Sequence, residues 1–136
     1  MVYTPTMREV RVTAAVLIED GRLLAARRPA GVARGGLWEL PGGKLEPGET
    51  LQQCLARELG EELGIEVEVE RPFETLVHDY PDLRVELNAF FCRRLTPTLR
   101  PTEHDRVRWL GADELDALPW SGADLPLVAR LKPLLR

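Results

Sequence analysis

The segment Gly43–Ile65, GKLEPGETLQQCLARELGEELGI, constrains the fold of this chain more than any other part of the sequence. Thr50 is a residue type that favours the N-cap of a helix, and Gly64 is the type that commonly follows the last helical turn. Leucines recur every four residues between them and form an apolar stripe: Leu55, Leu59 and Leu63. The segment therefore predicts a helix that packs against the core of a folded domain.

Three glutamates, Glu58, Glu61 and Glu62, lie close together on this predicted helix. With about 100° of rotation per residue, they fall within an arc of roughly 100° beside the leucine stripe. Like charges at this spacing repel each other, so a cation between them is expected. Carboxylate oxygens suit Mg²⁺ or Mn²⁺, and Mg²⁺ in proteins is usually shared with substrate phosphates. The helix predicts a metal-dependent phosphate site, and a solvated acidic helix face is the alternative interpretation.

The length of 136 residues favours a single domain over residues 1–136. The net charge of −4 argues against an extended surface for a nucleic acid polymer, but a nucleotide needs only a local basic pocket. Cys54 and Cys92 have no disulfide or metal-ligand spacing, which indicates reduced cysteines. The longest apolar run, Ala14–Ile18, is too short to span a bilayer, and no signal peptide pattern is present. We therefore expect a cytoplasmic protein without a membrane partner; the sequence does not predict its oligomeric state.

The remaining chain reads as strands and short helices of one α/β domain. A turn at Asp20-Gly21 separates the first two predicted strands, and a loop follows over Pro29–Gly36. The predicted strands are Val10–Glu19, Leu23–Arg28, Ile65–Glu70, Phe73–Tyr80, Arg84–Leu95 and Val107–Leu110, and the later helices are Ala112–Leu118 and Leu125–Leu135.

The glycine-rich turn and the helix together resemble the signature box of the Nudix hydrolase family. That pattern is Gly, five residues, Glu, seven residues, Arg-Glu, an apolar residue, any residue, Glu-Glu, any residue, Gly and an apolar residue. Every fixed position is filled here, by Gly43, Glu49, Arg57, Glu58, Leu59, Glu61, Glu62, Gly64 and Ile65. A match over nine positions is far more specific than a lone Glu-Glu pair.

The resemblance extends over nearly the whole chain and points to the MutT-like branch, through LLAARRP, GGLWELPGGKLEPGET, HDYPD, EHDRVRWL and ADLPLVARLK. It implies the Nudix fold, an α/β/α sandwich around a mixed sheet, with Mg²⁺ as cofactor and Mn²⁺ as a possible substitute. It also implies a nucleoside triphosphate substrate that is cut to the monophosphate and pyrophosphate. The leading expectation is an 8-oxo-dGTP diphosphatase. One alternative is a hydrolase of CTP, dCTP or modified pyrimidine triphosphates. The other is a non-catalytic nucleotide sensor, which the intact glutamates of the box disfavour.

The metal ligands implied by the resemblance are the carbonyl of Gly42 and the carboxylates of Glu58, Glu61, Glu62 and Glu103. Glu103 precedes the strand that contains Trp109, and its carboxylate can bind metal or orient the attacking water. Glu58 and Glu103 are the two candidates for the general base, and the sequence does not choose between them. Arg57 lies one turn from Glu61 and is expected to hold it by an ion pair. Glu49 is expected to orient the loop and the helix.

Four further residues are substrate-binding candidates. Arg28 and Lys44 can neutralise phosphate charge, and Tyr80 is the candidate for stacking on the nucleobase. Asp124 stands where MutT-like proteins hold the oxidised guanine with an asparagine, so it is the candidate base reader. An ionised aspartate only accepts hydrogen bonds, whereas a buried and protonated one also donates. The alternative interpretation of Asp124 is a helix N-cap.

Overall fold

The computed structural model describes residues 8–100 and 106–136. Within these ranges the chain forms seven strands, three α-helices and one 3-10 turn. The strands are β1 (Glu9–Val16), β2 (Ile18–Glu19), β3 (Arg22–Arg27), β4 (Trp38–Glu39), β5 (Val67–Asp79), β6 (Arg84–Arg94) and β7 (Arg106–Leu110). The helices are α1 (Leu51–Leu63), α2 (Ala112–Leu115) and α3 (Leu125–Leu131), followed by the 3-10 turn Lys132–Leu134.

The strands form two hydrogen-bonded groups. In the first, β6 is central, and it pairs parallel with β1 and antiparallel with β5. In the second, β3 is central and all pairings are antiparallel. Strand β7 pairs with β3 from Leu23 to Arg27, while β2 and β4 pair with the two ends of β3 on its other edge. The parallel β1–β6 pair makes the β-structure mixed, as predicted.

Side chains alternate between two cores, one on each side of the strands. In β1, Ala14 and Val16 pack into a core that also contains Leu127 and Leu131 of α3. Their neighbour Ala15 and the following Leu17 pack instead against the leucines of α1. Because α1 lies on one side of the strands and α3 on the other, both faces need apolar residues. This arrangement is the α/β/α sandwich that the sequence predicted.

Helix α1 has the ends and the buried face that its sequence predicts. The Thr50 hydroxyl accepts a hydrogen bond from the Gln53 N–H at 3.1 Å, and the Gln53 side chain accepts one from the Thr50 N–H at 2.9 Å. Gly64 closes the helix in the left-handed region at φ 65°, where its N–H reaches the Gly60 carbonyl. The leucine stripe is fully buried: Leu55, Leu59 and Leu63.

Two strand predictions differ from the structure. The predicted strand Val10–Glu19 is broken at Leu17, because β1 pairs with β6 whereas β2 pairs with β3. The two strands predicted on either side of Pro72 are one strand, β5, whose register against β6 shifts twice around that residue. A proline lacks the N–H for a regular ladder, and the irregular register accommodates it without ending the strand.

The two C-terminal helices are shorter than predicted, and a proline follows each of them. The predicted helix Ala112–Leu118 is helical only to Leu115, and Leu118 precedes Pro119, which disfavours helical geometry at the residue before it. The predicted helix Leu125–Leu135 ends at Leu131 and continues as the 3-10 turn, because Pro133 cannot continue an α-helix. In the part of the chain that the structure describes, no helix is long and apolar enough to cross a membrane.

Candidate active site

A polar cavity of about 870 Å³ opens between α1, the loops on either side of β4, the β5–β6 turn and the segment before α3. It brings together every residue of the predicted catalytic, metal and substrate sites that lies in the described part of the chain. The predicted residues that line it are Arg28, Gly42, Lys44, Arg57, Glu58, Glu61, Glu62, Tyr80 and Asp124. Residues that are distant in the sequence therefore share one site.

The Gly42-Gly43 turn lies directly against β1. The Gly43 carbonyl accepts a hydrogen bond from the Thr13 N–H at 2.8 Å, and the Pro41 carbonyl accepts one from the Ala15 N–H at 2.7 Å. A Cβ on Gly42 would lie 2.0 Å from the Thr13 carbonyl oxygen, and a Cβ on Gly43 would lie 2.2 Å from the Glu58 carboxyl carbon. Position 42 requires glycine because fixed backbone approaches it so closely, whereas a side chain at position 43 would displace the Glu58 carboxylate.

Arg57 organises the carboxylates at this end of the cavity. Its guanidinium binds both oxygens of Glu49, at 2.7 and 2.9 Å, and donates to Glu58 at 2.9 Å and to Glu61 at 3.1 Å. It also donates to the Lys44 carbonyl at 3.1 Å. The bidentate bond from Arg57 lowers the pKa of Glu49 to about 2, so Glu49 stays ionised. The predicted Arg57–Glu61 ion pair is present, and Glu49 connects the glycine loop to the helix through Arg57.

The three glutamates of α1 differ in exposure although all of them line the cavity. The side chain of Glu58 is 14% exposed and that of Glu61 58%, while residue Glu62 is 7% exposed. Among the described residues, no three acidic, histidine or cysteine side chains lie close enough together to form a metal cluster. Glu58 and Glu61 instead accept hydrogen bonds from Arg57, whose single positive charge offsets only part of the negative charge of the cluster. The donor set consists of hard oxygens on one helix, which fits a hard divalent cation.

One predicted ligand, Glu103, lies outside the described residues, as does the neighbouring His104. The other histidine, His78, packs its ring against Tyr80 with the ring centres 4.5 Å apart.

Asp124 is a buried acid in the wall of the cavity. It is 6% exposed, and its Oδ2 accepts a hydrogen bond from the Leu40 N–H at 2.8 Å. It occupies the N-cap position of α3, but its side chain makes no capping hydrogen bond. Burial, and then the negative charge of Glu39, raise the pKa of Asp124 to about 8, against opposing effects of the Leu40 bond and of Arg28. Asp124 thus stands at the helix N-cap position, as the alternative interpretation predicted, but its side chain bonds the Leu40 N–H and does not cap the helix.

The other predicted substrate-binding residues have mixed surroundings. Arg28 lies 3.5 Å from the Glu39 carboxylate, close to Asp124, and Lys44 lies in the loop before α1. The Tyr80 hydroxyl is 2.5 Å from the Ser121 hydroxyl and accepts a hydrogen bond from the Ala123 N–H at 2.9 Å. Tyr80 thus holds the segment that carries Asp124.

Several charged residues that line the cavity were not singled out from the sequence, among them Glu39 and Arg34. Glu39 follows Trp38 in β4, and its acidic side chain is largely buried beside Arg28, with 19% exposed. Arg34 lies in the glycine-rich loop Pro29–Gly36, and composition alone does not separate it from an ordinary loop residue. A charged residue within a short apolar strand was the one available signal for Glu39.

A helix with three carboxylates beside a glycine turn and a polar cavity is the arrangement expected of an α/β enzyme that binds a phosphate-bearing ligand through a divalent cation. The NUDIX domain family matches residues 13–130. The CTP pyrophosphohydrolase of Escherichia coli K12 is 38% identical over 122 residues, covering 90% of each chain. The 8-oxo-dGTP diphosphatase of the same organism is 30% identical over 129 residues, covering 94% of this chain and all of that protein.

Solved structures agree with these matches. The solution structure of the E. coli ORF135 protein superposes with a TM-score of 0.81 at 36% identity, and the alignment covers 96% of this chain and 95% of that one. The chain belongs to the Nudix hydrolase family, as the box predicted, and it has the Nudix fold.

Proposed function

We propose that this protein is a Mg²⁺-dependent nucleoside triphosphate pyrophosphohydrolase that releases a nucleoside monophosphate and pyrophosphate. The observation that carries the proposal is the cavity itself, which has the box glutamates and Arg57 in one part of its lining and Asp124 in another. A triphosphate placed at the glutamates would leave its base to be read by Asp124. The protein would bind a free nucleotide and not a nucleic acid polymer, and it would act in the cytoplasm.

The residues of α1 would act on the triphosphate. Glu58, Glu61, Glu62 and the Gly42 carbonyl would hold Mg²⁺ or Mn²⁺. The bound cation would neutralise phosphate charge and lower the pKa of an attacking water. Arg57 holds Glu58 and Glu61 at defined positions, which limits the reorganisation needed for the reaction. Lys44 and Arg28 would add positive charge along the phosphates, and Glu58 and Glu103 remain the two candidates for the base.

Asp124 supports 8-oxo-dGTP as the main substrate. With a pKa of about 8, its carboxyl is mostly protonated at pH 7 and both donates and accepts hydrogen bonds. The 8-oxoguanine base presents an N7–H donor beside the O6 acceptor, which matches such a carboxyl. Unmodified guanine presents two acceptors, N7 and O6, on the same edge, so it can accept from this carboxyl but cannot donate to it. The complex then has one buried hydrogen bond fewer, so dGTP should be a poorer substrate.

A cytidine or deoxycytidine triphosphate is the second candidate. The cytosine edge carries an N3 acceptor beside the 4-amino donor, which fits the same protonated carboxyl. In addition, the relative from E. coli that is 38% identical is named a CTP pyrophosphohydrolase. Pyrimidine triphosphates, including 5-methyl-dCTP, therefore belong in the first substrate panel.

The test is a comparison of kcat/KM with Mg²⁺ for 8-oxo-dGTP, dGTP, dCTP, CTP, 5-methyl-dCTP and ADP-ribose. We expect 8-oxo-dGTP to exceed dGTP by about tenfold or more, since a mismatched buried hydrogen bond costs about 1–3 kcal/mol. Faster turnover of dCTP or CTP would select the second candidate. Hydrolysis of ADP-ribose alone would refute a triphosphate substrate.

The metal part of the proposal has its own test. Glu61→Gln and Glu62→Gln should each lower kcat by orders of magnitude and weaken the dependence on Mg²⁺, with little change in far-UV circular dichroism. Glu66→Gln is the matched control, because Glu66 is an exposed glutamate just beyond the end of α1. EDTA-treated protein that hydrolyses nucleotides as fast as the Mg²⁺ form would refute metal dependence.

A further inference from the structure

Arg34 projects from the loop Pro29–Gly36 onto the ring of Tyr80. Its guanidinium carbon lies 4.4 Å from the centre of that ring, which is a cation–π contact. Its Nη1 is 3.4 Å from Oδ1 of Asp82 in the β5–β6 turn, and its side chain is 24% exposed. Arg34 also lines the large cavity. The guanidinium is thus held between a ring and a carboxylate at the wall of the candidate active site.

The backbone of Arg34 adopts a conformation that costs energy. Its φ is +58°, in the left-handed region that residues other than glycine rarely occupy. The turn is fixed by hydrogen bonds from the Gly35 N–H to the Val32 carbonyl at 2.9 Å and from the Gly36 N–H to the Arg28 carbonyl at 2.9 Å. A glycine at position 34 would adopt this turn without strain. Strained positions of this kind often mark functional sites, and here the turn directs a long planar cation toward Tyr80.

Tyr80 cannot itself offer the face that Arg34 covers. The hydroxyl of Tyr80 is bound by Ser121 and by the Ala123 N–H, and His78 packs edge-on against the ring. These contacts fix the ring, and the guanidinium already lies over one of its faces. Because Arg34 and Tyr80 both line the cavity, a nucleobase at this part of the wall can stack on the guanidinium in place of the covered face of Tyr80. A guanidinium is planar on both faces, so its second face can stack on a base.

We propose that Arg34 is the stacking platform for the nucleobase, with Tyr80 behind it and Asp82 fixing its orientation. The inference rests on the proposed function, because it assumes a nucleotide in this cavity. The N–H of Ala123, next to Asp124, donates a hydrogen bond to the Tyr80 hydroxyl. The ring behind the platform and the candidate base reader are therefore held in a fixed relative position. Stacking tolerates any base, whereas hydrogen bonds distinguish between bases. Arg34 would set how tightly nucleotides bind, and Asp124 would set which of them are preferred.

The test uses Arg34→Lys, which keeps the charge and removes the planar group, and Arg34→Met, which removes both. Binding is measured by calorimetry with 8-oxo-dGMP, dCMP and 2-deoxyribose 5-phosphate, which has no base. If Arg34 is the stacking platform, both variants should bind the two nucleotides about tenfold more weakly, the order expected for one stacked base. The affinity for the sugar phosphate should not change. In steady-state assays KM should rise more than kcat falls. Arg93→Lys is the control, because Arg93 is an exposed arginine of β6 paired with Glu68.

Each other outcome overturns the platform in a distinct way. Equal weakening of all three ligands by Arg34→Met, with Arg34→Lys unaffected, would make Arg34 a phosphate contact. Tighter nucleotide binding by the variants would make it a plug over Tyr80. If the wild type hydrolyses triphosphates and Arg34→Lys binds nucleotides normally, only the stacking platform is refuted. If the wild type neither hydrolyses triphosphates nor binds nucleotides, the proposed function is refuted too. Arg34→Gly, which relieves the strained φ, serves as a second variant if the others fold poorly.

Discussion

Replacing Asp124 by asparagine should remove a pH dependence of stability that the wild type carries. The pKa of Asp124 rises from 3.8 to about 8 on folding, because burial and Glu39 disfavour its ionised form. The neutral acid therefore stabilises the fold fully below about pH 4, and this contribution is lost as the pH rises toward 8. At pH 7 the loss amounts to at most about 4 kcal/mol, since each pH unit within this window contributes about 1.4 kcal/mol. A loss of this size is a large part of the stability of a small domain.

An asparagine at position 124 stays neutral over the whole range and keeps an oxygen that can accept the Leu40 N–H bond. The assay is urea unfolding of the wild type and Asp124→Asn at pH 5, 6, 7 and 8. We expect the variant to become more stable relative to the wild type as the pH rises, by up to about 1.4 kcal/mol per pH unit. Asp116→Asn is the control, because the side chain of Asp116 is 77% exposed.

The result that would refute the reasoning is a constant difference in unfolding free energy between the wild type and Asp124→Asn from pH 5 to pH 8. Such a result would mean that Asp124 is ionised throughout this range. The argument for 8-oxoguanine and cytosine as preferred bases would then fail as well, because it depends on a carboxyl that can donate a hydrogen bond.

Two further predictions concern the box. Gly43→Ala should abolish most activity, because its methyl group would lie 2.2 Å from the Glu58 carboxyl carbon. Gly60→Ala is the control, because no atom lies nearer than 3.8 Å to the added methyl group. It should keep activity and stabilise α1 by about 0.5–1 kcal/mol in thermal unfolding. Equal activity of the two variants would contradict the close approach seen at Gly43. Arg57→Lys should lower kcat by about 10- to 100-fold with the fold retained, because a lysine cannot hold Glu49 in a bidentate bond and reach Glu58 and Glu61 together. An unchanged kcat would show that the carboxylates need no such support.

Local signals in the sequence predicted the central helix and its surroundings well. The N-cap at Thr50, the leucine stripe and the glycine at position 64 act over a few residues, so they fix α1 wherever the rest of the chain goes. The same holds for the Arg57–Glu61 pair, which is one helical turn long. The hydrolase family and the sandwich fold followed from the box, because its nine positions combine helix, glycine turn and carboxylates.

The ends of strands were less predictable, because hydrogen-bond partners decide them. Nothing in Val10–Glu19 shows that the chain changes partner at Leu17, and β5 continues through Pro72 because β6 accommodates an irregular register. Prolines did mark the early ends of α2 and α3, yet the apolar periodicity beyond them favoured longer helices.

By itself the sequence determined the helix that carries the glutamates and the chemistry that this helix favours, since both depend on residues close together in the chain. Only the tertiary structure decided the surroundings of Asp124, Glu39 and Arg34, which are brought to one cavity from separate segments. Burial and the proximity of Glu39 make Asp124 a weak acid, and the fold places Arg34 over Tyr80. Desolvation and stacking depend on neighbours in space, and no local pattern in the sequence encodes them.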